Sequence, residues 1–224
     1  MKSDAKPGPP QDVVVLLHGM GRTKLSMKRV EWALEDRGYR VVNLSYPSTR
    51  FCIEDLAEKH LRPALEKIQK SFPRRVHFVT HSLGGILLRQ YLATHALTNL
   101  GRIVMLGPPN HGSEVTDKLR RWFFFRLLVG PSGHQLGTGA DDLPRKLGPA
   151  RFEVGIIAGD RSVNPLFSRL LPGSDDGKVT VASARLEGMS DFLVVHHSHT
   201  WMAWRRAVVR QVVGFLEKGK FGRT

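Results

Sequence analysis

Six short runs along the chain are almost wholly apolar: VVVLL at 13–17, YRVVNLSY at 39–46, RVHFVT at 75–80, RIVMLG at 102–107, FEVGIIAG at 152–159 and DFLVVH at 191–196. Continuous apolar runs of this length suit strands buried on both faces, as in a parallel sheet. Helical patterns lie between them. In IEDLAEKHLRPALEKIQKSF, at 53–72, Ala57, Leu61, Ala64, Leu65 and Ile68 recur on one helix face, with Pro63 expected to kink the helix. Further helices are expected over 26–37, 83–96 and 200–217, the last with Trp201, Trp204, Val208 and Phe215 on a core-facing stripe. The alternation of strand and helix predicts an α/β fold: a mostly parallel, doubly wound sheet of about six strands with flanking helices.

One segment breaks the rhythm. Residues 111–150 are far longer than an ordinary connection and contain KLRRWFFFRLLVGPSG. An insert of that length on an α/β scaffold reads as a lid or cap. In it Trp122, Phe123, Phe124, Phe125 and Leu127 stand beside Arg120, Arg121 and Arg126, which fits a cover that meets acyl chains and anionic head groups. The competing reading is one extra core helix.

The expected organisation is a lead over 1–11, one domain over 12–218 carrying the insert, and a tail over 219–224. The 224 residues suffice for one full core. The lead, MKSDAKPGPPQ, has no apolar stretch of a secretory signal and reads as disordered. No run approaches 18 apolar residues, so no membrane span is expected and the default location is the cytoplasm.

Charge widens the choice of partners. The net charge of +14, from 34 basic and 20 acidic residues, suits anionic lipid, anionic substrates or nucleic acid. The basic residues form no run of five and match no nucleic-acid motif, so no nucleic-acid partner is expected. A single cysteine, Cys52, excludes an internal disulfide and a thiol metal cluster.

The chemistry concentrates at HFVTHSLGGILL, 77–88, where an apolar strand ends at Thr80, His81 and Ser82 and a helical pattern begins after Gly84 and Gly85. Catalytic groups in open α/β sheets gather beyond the carboxyl ends of the strands. A serine there needs an exposed oxygen, a neighbouring base, and small residues beside it where helix and strand approach. THSLGG resembles the G-x-S-x-G nucleophile elbow of the α/β-hydrolase family, with Thr80 in place of the first glycine.

Other motifs extend the resemblance over residues 12–217. LLHGMGR follows the first strand, and in the hydrolases it resembles the residue after an HG pair and the residue after the nucleophile form the oxyanion hole. Those positions are Met20 and Leu83, acting through backbone N–H groups, with His18 supporting the loop. The family order of serine, acid and histidine implies a base in VVHHSHTWMAW; His199 is preferred over His196 and His197. The acid is expected at Asp176, in an aspartate turn like that of small lipases (DGKV), with Asp160 and Asp175 as rivals. GPPNHGS, 107–113, is similar to a stretch of bacterial lipase-like hydrolases and related lipid-remodelling deacylases.

The resemblance thus implies a compact bacterial-type lipase or esterase with Ser82, Asp176 and His199 as triad and Met20 and Leu83 as oxyanion hole. His18, Gly19, His81, Asn110 and His111 are expected around the substrate. Neither metal nor cofactor is required. The expected substrate is a small-molecule or lipid ester; thioester or amide cleavage by the same triad, or ligand binding without catalysis, are the alternatives.

Overall fold

The computed structural model describes residues 11–163, 168–169 and 171–223, apart from the side chains of Phe125 and Arg126. The expected lead, except for Gln11, lies outside them. Strands β1 (Val13–Leu17), β2 (Arg40–Leu44), β3 (Val76–His81), β4 (Leu100–Leu106), β5 (Val154–Gly159) and β6 (Asp191–Val195) form one sheet in the order β2-β1-β3-β4-β5-β6. Every adjacent pair is parallel. This is the α/β-hydrolase fold.

Alternate side chains of each central strand feed two separate cores. Val13, Val15 and Leu17 pack with Phe78, Met105 and Ile156 on one face, whereas Val14 and Leu16 pack with Val79, Val104 and Ile157 on the other. Both faces are covered, so β1, β3 and β5 are buried along their whole length. At the sheet edges β2 and β6 are only half-buried, contrary to the expectation of burial on both faces. An edge strand has one sheet neighbour, and its open side leaves side chains in solvent.

The first core is covered by α2 (Ile53–Leu56), a π turn (Ala57–Leu61), α3 (Arg62–Gln69) and α4 (Leu83–Thr94). Pro63 falls in the first turn of α3, directly after the π turn. Proline has no N–H to offer a uniform helix, and the wider turn absorbs that defect as a change of hydrogen-bond register.

On the opposite face lie α1 (Lys28–Glu35) and the last helix. That helix starts at Arg206, later than the expected 200, because Arg205 is extended (φ −82°, ψ 124°) and a 3₁₀ segment, His199–Trp204, precedes it. Trp201 is 52% exposed and so leaves the anticipated core stripe, Trp204 is half-buried, and Val208 and Phe215 do join it.

The insert folds into α5 (Glu114–Leu119), α6 (Phe123–His134) and α7 (Leu143–Lys146). Gly130 breaks α6 with φ 63°, at a point where a Cβ would fall 1.7 Å from the Thr49 carbonyl oxygen. Beyond that break the insert is fastened to the body. Ser132 donates to the Ser48 carbonyl, and the Gln135 side chain accepts from the Ile53 N–H at 2.7 Å and donates to Glu54 at 2.6 Å. Arg89 of α4 adds a buried clasp, donating to Asn110, Pro144 and Gly148 over 2.7–3.2 Å, and burial lowers its pKa to about 10. Before the break the aromatic run faces solvent: Trp122, Phe123, Phe124, Leu127 and Leu128 are 67–82% exposed. The reading of this run as a core helix is therefore set aside. Among the described residues no helix is long and apolar enough to cross a membrane.

Candidate active site

β3 ends in a sharp turn. Ser82 has φ 53° and ψ −121°, a conformation a non-glycine residue holds only when its surroundings enforce it. The enforcement is visible: the Ser82 N–H donates to the Leu106 carbonyl at 2.9 Å, and α4 begins at the next residue. α4 crosses β1 so closely that a Cβ on Gly84 would lie 2.6 Å from the Leu17 carbonyl oxygen. Gly84→Ala is therefore expected to cost about 1–3 kcal/mol, read as a lower melting temperature.

Thr80 stands where the elbow pattern has glycine. It is fully buried, and the missing Cβ of Gly85 leaves its hydroxyl room, since a Cβ there would sit 3.3 Å from Thr80 Oγ1.

Across the end of β4 lies a buried acid–base pair. His199 Nδ1 and Asp176 Oδ2 are 2.7 Å apart, both residues being 2% exposed. The second oxygen, Asp176 Oδ1, accepts from the Lys178 and Val179 N–H groups at 3.0 and 2.9 Å, in a turn that Gly177 allows with φ 98°. The Asp176 carbonyl in turn accepts from the His199 N–H at 3.0 Å. These bonds use the carboxylate as an acceptor and call for a proton on Nδ1 of His199, so that in the neutral imidazole the lone pair lies on Nε2. The pair is next to the elbow. Gly107 directly follows Leu106, the acceptor for Ser82, and a Cβ on it would lie 3.0 Å from His199 Nδ1 and 3.1 Å from Asp176 Oδ2.

The rival acids go elsewhere. Asp160 pairs with His196 at 2.9 Å on an exposed surface, and Asp175 is occupied by Ser168 and the Gly177 N–H.

The other singled-out residues divide between cleft and support. Met20 and Ser82 line one cleft of about 350 Å³ together with Val115, Leu128 and Val129 of the insert. Gly19 lets the loop after β1 close on the elbow, since its Cβ would lie 3.3 Å from that of Ser82. Leu83 is buried at the start of α4.

Three residues expected around the substrate are buried, and His18 also has the loop-supporting bonds expected of it. His18 is fully buried, stacks on Tyr46 with ring centroids 4.2 Å apart, accepts from the Tyr46 N–H and receives the Tyr46 hydroxyl on its carbonyl. His81 is buried under His199, its Nε2 3.0 Å from the His199 carbonyl oxygen and the rings 4.8 Å apart. Burial, then the neighbouring His199, holds the His81 pKa well below the ordinary histidine value, so it is neutral and donates through Nε2. Asn110 is buried in the Arg89 clasp and donates to the Ala184 carbonyl at 2.9 Å. The fifth, His111, borders a second hollow of about 300 Å³ with Arg89 and Arg145. Burial lowers its pKa, and the charge of Arg145 adds to the effect.

Sequence reading missed Arg22 and Lys178 on the cleft wall and Tyr46 behind His18. Only the adjacency of Arg22 to HGMG and of Lys178 to the aspartate turn hinted at the first two.

A parallel sheet with a serine held at positive φ between strand and helix, and a histidine–carboxylate pair at the neighbouring strand end, defines an α/β-hydrolase architecture. Residues 14–219 match the alpha/beta hydrolase family, and the chain belongs to that family. A comparison with curated proteins finds no match.

Solved structures resemble the fold at low identity. The mature lipase BlEst2 of Bacillus licheniformis is 20% identical, with TM-score 0.70 over 95% of this chain and 94% of that one. A monoacylglycerol lipase of Paleococcus ferrophilus is 18% identical, with TM-score 0.62 over 96% and 98% of the two chains. An esterase of Pyrococcus furiosus is 16% identical, with TM-score 0.66 over 93% and 82%.

Proposed function

We propose that the protein hydrolyses carboxylic esters through an acyl-enzyme on Ser82, with His199 as base and Asp176 as its orienting acid. The observation that carries this reading is the buried 2.7 Å His199–Asp176 contact at the strand end beside the strained serine. His199 Nε2 takes the Ser82 proton as Oγ attacks the ester carbonyl, then passes it to the departing alcohol; water reverses the sequence and releases the acid. Asp176 stays ionised throughout and stabilises the imidazolium.

The developing oxyanion is held by the N–H groups of Met20 and Leu83. Among the described residues, neither donates to a backbone acceptor outside its own element. Leu83 is the first residue of α4, where an N–H has no partner within the helix and is free to face a ligand, and Met20 lies in the loop after β1.

The similarity to lipases and esterases and the mostly apolar insert wall favour an acyl chain as the occupant of the cleft. The exposed face of α6, flanked by Arg120 and Arg121, is where an aggregated or membrane-borne ester would approach.

A fluorophosphonate probe tests the reading directly. Wild-type protein should be labelled and Ser82→Ala should not; labelling that survives the substitution would remove Ser82 from the chemistry.

A further inference from the structure

The cleft beside Ser82 is chemically two-sided. Its insert wall is mostly apolar, with Val115, Leu128 and Val129 beside Ser113 and Thr116, while the wall formed by the two catalytic-end loops carries Arg22 and Lys178. Neither cation forms a salt bridge among the described residues. Asp176, whose charge acts on Lys178, already has one oxygen on His199 and the other on two backbone N–H groups.

Both cations leave from fixed backbone. The Arg22 N–H donates to the Gly19 carbonyl at 3.2 Å, and the neighbouring Gly21 N–H to Ser48 Oγ at 3.0 Å. Lys178 is held twice, through its N–H to Asp176 and through its carbonyl, which accepts from Ser113 Oγ at 2.9 Å. Two unpaired like charges at one cleft are mutually unfavourable in the empty protein. Both side chains are solvent-exposed, which screens the repulsion; desolvation by nearby protein and then the charge of Arg22 lower the Lys178 pKa, and Asp176 raises it. An anion between the two side chains would relieve that repulsion.

We propose that Arg22 and Lys178 select esters whose alcohol portion carries a negative charge, a phosphate or a carboxylate, while the acyl chain lies along the insert wall. This rests on Ser82 being the nucleophile, and it narrows the substrate class of that site. A guanidinium suits a two-oxygen contact with either anion, and the ammonium adds a point charge.

The test compares three soluble substrates sharing one acyl group, all below their aggregation concentrations: monohexanoylglycerol, the hexanoyl ester of glycerol phosphate, and the hexanoyl ester of glyceric acid. At low salt the wild type should favour at least one anionic ester over the neutral one by about tenfold or more in kcat/KM. The preference should shrink between roughly 0.01 and 0.15 M ionic strength, as the screening length falls from about 30 to 8 Å. In Arg22→Gln/Lys178→Gln the ratio should fall to near one. Preference for both anions assigns the recognition to negative charge alone; preference for the phosphate ester only assigns it to phosphate.

Equal turnover of charged and neutral esters by the wild type would overturn the proposal. So would a double variant that loses the same factor on all three, which would make the cations general stabilisers of the reaction. Absence of all turnover together with absence of fluorophosphonate labelling would instead overturn the Ser82 reading beneath it.

Discussion

Replacing His199 with alanine is expected to abolish ester turnover, and Asp176→Asn to lower kcat by about 10⁴-fold, with both variants folded. The asparagine change isolates the role of charge and tautomer. An amide at that position can still accept from the Lys178 and Val179 N–H groups, but it presents an NH₂ where His199 needs an acceptor. His199 then protonates on the wrong nitrogen and no longer offers a lone pair to Ser82. His196→Ala and Asp160→Asn are the controls. Their 2.9 Å pair is exposed, and surface ion pairs contribute about 0–1 kcal/mol, so activity and melting temperature should stay near wild type. An inactive His196→Ala beside an active His199→Ala would transfer the base to the other pair.

The second large effect is expected at the insert. Phe123 and Phe124 are 72% and 82% exposed, so changing both to serine removes little burial within the protein and should leave melting almost unchanged. A buried phenylalanine would instead cost about 3–5 kcal/mol. If this face enters a lipid surface, each ring contributes about 1.5–3 kcal/mol of apolar transfer, and their joint loss weakens vesicle binding by about 100-fold or more. Turnover of long-chain or aggregated esters should fall with it, while a short soluble ester is cleaved at nearly the original rate. Binding of the wild type to anionic vesicles should weaken as salt is raised, since Arg121 and the net charge of +14 act through a screened potential. Equal loss on short and long esters would show that these rings serve the chemistry and not the surface.

Much of this architecture was legible because its signals are local. The apolar runs at 13–17, 75–80 and 152–159 each became a buried strand, and the small residues of THSLGG correspond to a turn where α4 passes within contact of β1. The aspartate turn was picked out by its resemblance to that of small lipases, and DGKV does close on itself through bonds two and three residues apart. Less was legible near the last strand. Three histidines within four positions, 196, 197 and 199, have the same local chemistry, and only a distant partner separates them.

Sequence by itself determined the parallel α/β sheet and the serine at a strand-to-helix break, because periodicity and turn chemistry act over a few residues; the order of acid and histidine behind it was what the family resemblance implied. Tertiary structure decided the rest. It set Asp176 against His199 and Asp160 against His196, across 23 and 36 residues of chain. It buried His18, His81 and Asn110 as supports, left Trp201 and the α6 aromatics in solvent, and brought Arg22 and Lys178 to one cleft. A side chain's type records what it can bond to, whereas its partner and its exposure depend on which strand ends the folded sheet makes adjacent.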